Sequence, residues 1–214
     1  VTSAALACVC RYGLAKTTLE DVAKEAGFSR ATLYRLFPGG REEVLQSVLE
    51  EELARYFSEL SRALSAVSGL EEKIVTALKV GAERLGGHPA LRFLIRHEPE
   101  VVLPRLALDG LGELLALGSG FLESHLSEHL GRKGARRVGE WIARLVVSYA
   151  ICPPGEEGSQ AGGPIGENDA RRLVRRFVMP GVTAMSGAAG RDERSGSEQR
   201  GRSSGRRRRQ ERRG

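Results

Sequence analysis

Three observations predict an all-α fold. Apolar residues recur at spacings of three and four through almost every segment. The chain is 41% hydrophobic but only 5% aromatic, a balance that favours Leu- and Ala-rich helix packing over a β-rich core. Gly, Pro and capping residues interrupt the periodic runs where helices would begin and end. The 214 residues suffice for one helical body with a small domain attached.

The first helix is read from Ala4, Leu6, Ala7, Val9 and Cys10, ending near Gly13; its first turn is expected to lie outside the chain. From Thr18, Leu19, Val22, Ala23 and Ala26 repeat at helical spacing, Thr18 and Asp21 form a capping-box pattern, and Gly27 stops the helix. Ser29 caps a third short helix whose packed side draws on Ala31, Leu33, Tyr34 and Phe37, and "PGG" ends it. A longer helix runs from Arg41 to Ala66 with Val44, Leu45, Val48, Leu49, Leu53, Phe57 and Leu60 on one broad stripe. Further helices are expected over 70–85, 89–96, 100–130 and 133–151, the third of these divided or distorted near Pro104 and "LGSG". Residues 152–167 read as a Gly- and Pro-rich loop, and 168–181 as a last helix with Ala170, Leu173, Val174, Phe177 and Val178 on one side. The predicted organisation is a three-helix domain over 1–40, a larger helical domain over 41–185 and a disordered Arg-rich tail over 186–214.

Charge needs dividing before it is interpreted. The net +6 lies wholly in residues 191–214, with ten Arg against four acidic residues, and the remainder balances to zero. The folded part therefore owes nothing to bulk charge in any case for nucleic acid. Charged residues break every apolar run short of a membrane span, and "VTSAALACVC" lacks the basic leader of a signal peptide, so a cytoplasmic protein is expected. Cys8, Cys10 and Cys152 make no disulfide framework and no second metal-ligand pair, and no cofactor is expected.

Two short helices hinged at Gly27, the second opening Ser29-Arg30-Ala31-Thr32, meet the needs of a helix-turn-helix. Arg30 and Thr32 offer donors to base edges, and Ala31 permits close approach to a thymine methyl. Thr17, Lys24 and Tyr34 suit phosphates, and Arg35 suits either target. A capped helical hairpin also occurs in proteins that never touch DNA.

"TTLEDVAKEAGFSRATLYRLF" followed by "PGGREEVLQSVLEEEL" resembles the DNA-binding region of the TetR family of bacterial transcriptional regulators. The Thr-Thr pair, the Ala-x-x-Ala-Gly-x-Ser turn, the Leu-Tyr pair and the terminal Phe stand in that family's order. The resemblance implies that Thr17 and Tyr34 meet phosphate, that Ser29 opens the recognition helix, and that Arg41 is the basic residue starting the next helix. Ala31 departs from the family's common Gly, and only Arg11 carries positive charge before Lys16, where the family has a basic arm.

The resemblance further implies a small-molecule cavity among the middle helices and a dimer interface from the last two. Candidate pocket walls are Phe93, Leu94, Leu103, Leu106, Leu111, Leu114, Leu115 and Phe121, suited to an apolar or amphipathic effector. His97, Glu98 and Glu100 interrupt this apolar neighbourhood, either to hydrogen-bond a ligand or to cap the helices flanking Pro99. Trp141, Leu145, Val146, Tyr149 and Phe177 are the interface candidates. The expected protein is thus a dimeric repressor, released by its effector from a palindromic operator in double-stranded DNA, without membrane contact. The rival readings are a helical protein-interaction module that has lost DNA binding, and a metal-dependent enzyme using His125 and His129, which lack the metalloprotease Glu between them.

Overall fold

The computed structural model describes residues 1–104, 110–152 and 165–184, and these are helical and irregular with no strand. The chain divides into two compact units, Val1–Arg171 and Arg172–Gly214.

At the N-terminus of the first unit, α1 (Thr2–Tyr12), α2 (Leu19–Ala26), α3 (Arg30–Leu36) and the first turns of α4 (Gly40–Ser65) enclose one core. Ala5, Cys8, Leu19, Val22, Ala23, Leu33, Val44 and Val48 are its buried members, with Val1, Leu6 and Phe37 packed against it. Seven- and eight-residue helices are too short to persist alone, so α2 and α3 depend on this core and on their caps. Thr18 accepts from the Asp21 N–H at 3.1 Å while the Asp21 carboxylate accepts from the Thr18 N–H at 3.0 Å, closing the capping box. Gly27 adopts φ +71 and ends α2 in the left-handed conformation that a side chain would resist. Ser29 then caps α3 by accepting from the Thr32 N–H at 3.1 Å.

The body adds α5 (Leu70–Gly86), α6 (Pro89–His97), α7 (Pro99–Pro104) and α8 (Gly110–Ile151), with α5 packed on α4 and α8. Pro89 stands at the first position of α6, where its missing N–H costs nothing, and His88 caps that helix through Nδ1. Gly131, at φ 65 and ψ 165, breaks α8 into arms 110–130 and 132–151, as the sequence suggested. The distortion expected at "LGSG" is absent: those glycines are helical. A Cβ at Gly118 would stand 3.0 Å from the Ala143 Cβ, and one at Gly139 would stand 3.1 Å from the Ser119 carbonyl oxygen. Small residues there let the two arms approach closely.

The last helix begins as α9 (Glu167–Leu173) and widens into a π turn over Val174–Val178. Arg171 forks onto both carboxylate oxygens of Glu72 and reaches Glu167 at 3.4 Å. In the second unit Val174, Val178 and Val182 are buried at four-residue spacing, along one side of the helix. The sequence put Phe177 on the same packed side; it is instead 64% exposed.

Candidate nucleic-acid interface and effector cavity

The exposed side of α3 is the first candidate site. Leu33, fully buried, anchors the helix, and Arg30, Ala31, Tyr34 and Arg35 all face outward around it. Lys24 is exposed near the end of α2. Arg30 is 3.3 Å from Glu20, with both side chains largely in solvent; such a pair is worth little and yields readily to a phosphate or base. Thr32 is half-buried, its hydroxyl 2.8 Å from Ser29 Oγ, so both belong to the cap as well as to the helix's leading edge. The Asp21 carboxyl is held below its usual range, chiefly by the Thr18 hydroxyl and then by the Thr18 N–H, which keeps the box ionised.

Two further DNA-binding candidates, Thr17, expected to touch phosphate, and Arg41, the basic residue at the start of the next helix, have partners within the protein. Thr17 is 1% exposed and donates its hydroxyl to the Gly13 carbonyl at 2.6 Å, so it closes the turn after α1. Arg41 donates Nε–H to the Thr17 carbonyl at 2.7 Å and a second N–H to the Leu14 carbonyl. Both are occupied in holding the loop between α1 and α2.

That loop is gripped from its other side by a residue of the body. Glu98, 7% exposed, lies between α6 and α7 and accepts from the Leu14 N–H at 2.8 Å and the Ala15 N–H at 3.3 Å. Gly13 has φ +89, and a Cβ there would fall 2.1 Å from Glu98 Oε1, so only Gly admits this carboxylate. Glu98 was weighed in sequence as a ligand contact or a helix cap: its backbone does cap, its N–H donating to the Leu94 carbonyl at 2.8 Å to close α6 and its own carbonyl accepting from the Val101 N–H at 3.0 Å, while its carboxylate joins body to head. The sole signal in the sequence was an acidic residue in an apolar neighbourhood, with nothing to name its partner.

The second candidate is a cavity of about 710 Å³ within the first unit. Its walls come from α1, the α1–α2 loop, α4, α5, α6, α7 and both arms of α8. Of the expected wall residues, Leu94, Leu114 and Phe121 line it. Phe93 and His97 do not: their rings stack on each other with centroids 4.3 Å apart, on a different side of α6 from Leu91 and Leu94. Leu111 and Leu115 are not among its walls, while Leu106 and the side chain of Leu103 lie outside the described residues. The largest wall is one the sequence reading used only as a helix stripe: Leu45, Leu49, Leu53, Phe57 and Leu60 of α4. Tyr56 also lines it, and burial pushes its phenol up to about 12, so it remains a neutral hydrogen-bonding group.

Val146, an interface candidate, is buried and faces this cavity. Trp141 is 52% exposed, and Leu145 and Tyr149 are half-buried. His125 and His129 share the first arm of α8, and the imidazole of His125 is driven toward its neutral form by burial and by Lys73. Among the described residues no three His, Cys, Asp or Glu side chains converge to hold a metal. Burial raises the Cys8 and Cys10 thiols, as expected of small packed side chains. No described helix is long and apolar enough to cross a membrane, and the tail over 186–214 lies outside the described residues.

Residues 1–48 match the family described as bacterial regulatory proteins, tetR family. The uncharacterized HTH-type transcriptional regulator Rv1255c of Mycobacterium tuberculosis (strain ATCC 25618 / H37Rv) is 27% identical over 175 residues, 80% of this chain and 78% of that protein. A second regulator of the same strain, Rv2250c, is 25% identical over 179 residues, 84% of this chain and 75% of its own. Among solved structures, the putative transcriptional regulator SCO7518 of Streptomyces coelicolor A3(2) superposes with a TM-score of 0.58 at 17% identity, covering 82% of this chain and 94% of that one. The TetR family repressor AlkX of Dietzia sp. strain DQ12-45-1b, implicated in biodegradation of n-alkanes, gives 0.55 at 24% identity, covering 86% and 94%. These are the fold and the relatives of transcriptional regulators, not of enzymes.

Proposed function

Starting from a chain that is a DNA-binding transcriptional regulator of the TetR family, we propose that it is a dimeric repressor released from a palindromic operator by a small apolar or amphipathic molecule. The observation that carries the DNA-reading part is the outward side of α3, where Arg30, Ala31, Tyr34 and Arg35 surround a helix fixed by the buried Leu33. Arg30 and Thr32 are the base-reading candidates, while Lys24, Tyr34 and Arg35 position the helix on phosphates. Ser29 orients the recognition helix as its cap. The cavity supports the effector reading, and the exposed Trp141 supports a role for the second arm of α8 in dimerisation. Phe177, exposed in the second unit, is a further interface candidate. The domain limits proposed are a head over 1–40, a body over 41–185 and a tail beyond, in a cytoplasmic protein.

Release follows from linkage. If the effector favours one placement of the head and DNA another, each ligand weakens the other by the same factor. The Glu98 contacts with Leu14 and Ala15, and the Arg41 contacts with Leu14 and Thr17, are the material connection. Selection of bound DNA from a random library tests the reading: an enriched palindrome is expected, and the absence of any enriched site would overturn it.

A further inference from the structure

The shape of the cavity, with the charges around it, narrows the effector. This step rests on the proposal that the body takes a small molecule. A sphere of about 710 Å³ would be roughly 11 Å across. The cavity instead borders α4 from Arg41 to Leu60, and at about 1.5 Å of rise per residue these positions span ~28 Å. That length and its apolar lining suit one extended hydrocarbon chain lying along α4. Leu45, Leu49, Leu53 and Phe57 make its wall along α4, faced by Leu94 and Phe121.

Most polar groups along this wall already have partners within the protein. Glu52 is 3.0 Å from His88 Nε2 and 3.1 Å from Arg55, and Arg84 is 3.1 Å from Glu59. The Tyr56 hydroxyl lies 3.4 Å from the Gly81 carbonyl, and Gln46 donates to Glu50 at 2.9 Å. The end at Arg41 differs. Its guanidinium carries a carboxylate, that of Glu42, whose side chain is 80% exposed and free to swing into water. A ligand carboxylate can take that place on Arg41 without leaving a buried charge unpaired.

We infer that the effector is a single-chain anionic amphiphile, a long-chain carboxylate, with its tail along α4 and its head on Arg41 in place of Glu42. The head then meets the residue that holds the Leu14 and Thr17 carbonyls, so occupancy acts directly on the loop that orients α2 and α3.

Equilibrium dialysis of the full chain with hexadecanoate, octanoate, hexadecan-1-ol and pyrene, each below its aggregation limit, tests this. Hexadecanoate is expected to bind at least about a hundredfold more tightly than octanoate, because each added CH2 is buried. It should exceed hexadecan-1-ol by about tenfold through the charged head. Glu42→Gln, on the surface, should tighten hexadecanoate several-fold and leave the alcohol unchanged; Arg41→Gln should weaken the acid about tenfold and spare the alcohol. If acid and alcohol respond alike to both substitutions, the placement of the head is wrong. Binding of pyrene without any chain would overturn the inference and leave the effector reading standing. Failure of all four ligands, with DNA affinity unmoved by any of them, would overturn both.

Discussion

Residues that the sequence marked for one task often serve another, and Glu98 is the clearest case. Removing its carboxylate strands two N–H groups, so Glu98→Ala should cost about 1–3 kcal/mol. Gly13→Ala should cost a similar amount, because its Cβ would collide with Glu98 Oε1 at a positive φ, with roughly 1–2 kcal/mol from the backbone alone. Urea unfolding checks both, and an unmoved midpoint for either would remove the latch from the account. Asp21 carries a pH consequence. Its folded pKa lies below the ordinary aspartate value of 3.8, so the stability it contributes is full above that value and is lost as pH falls through the lower folded one. Protection of the amides at the start of α2 against exchange, relative to the free-chain rate at the same pH, should therefore fall only in strongly acidic solution, and in Asp21→Asn at every pH. Thr17 shows the opposite lesson: its identity suggested phosphate, but only the fold revealed that its hydroxyl is taken by Gly13.

At the scale of the element, α2 and α3 were legible because capping and periodicity are local. Thr18, Asp21, Gly27 and Ser29 do in three dimensions what their order implied. Thr18→Ala should cost about 1 kcal/mol, and Leu33→Ala about 2–5 kcal/mol, since the site is fully enclosed. In DNA binding the two helices should separate by kind of effect. Arg30→Ala is expected to relax preference at particular base pairs by about 1–3 kcal/mol, whereas Lys24→Ala weakens all sequences alike and lowers the salt slope by about one. Titrations against matched and mismatched sites at two salt concentrations distinguish these outcomes. The pocket was less legible. The stripe on α4 was visible, yet periodicity identifies an inward side without saying whether it meets another helix or an open space. On α6 the phase decided which residues reach the cavity: Leu91 and Leu94 do, Phe93 and His97 do not. Phe177 lies off the side that Val174, Val178 and Val182 bury, a distinction within the apolar pattern that spacing alone did not make.

Over the whole molecule, the proposed repressor mechanism makes effector and operator mutually exclusive to the extent of one coupling factor, typically about 5–150-fold. Glu98→Gln keeps the side chain's size but weakens its hold on Leu14 and Ala15, so it should reduce that factor while both ligands still bind. Operator affinity measured with and without a bound effector gives the answer; an unchanged factor would assign coupling to another route. Trp141→Glu should lower the mass seen in sedimentation toward that of a monomer if the second arm of α8 forms the dimer. By itself the sequence determined the helical class, the capped helix-turn-helix and the break near Gly131, because each depends on neighbours a few positions apart. Tertiary structure alone decided that Glu98 grips a loop more than eighty residues away, that Arg41 holds the same loop, and that α4 borders a cavity. Those outcomes depend on which distant backbone groups remain unpaired and where packed helices leave space, and local periodicity encodes neither.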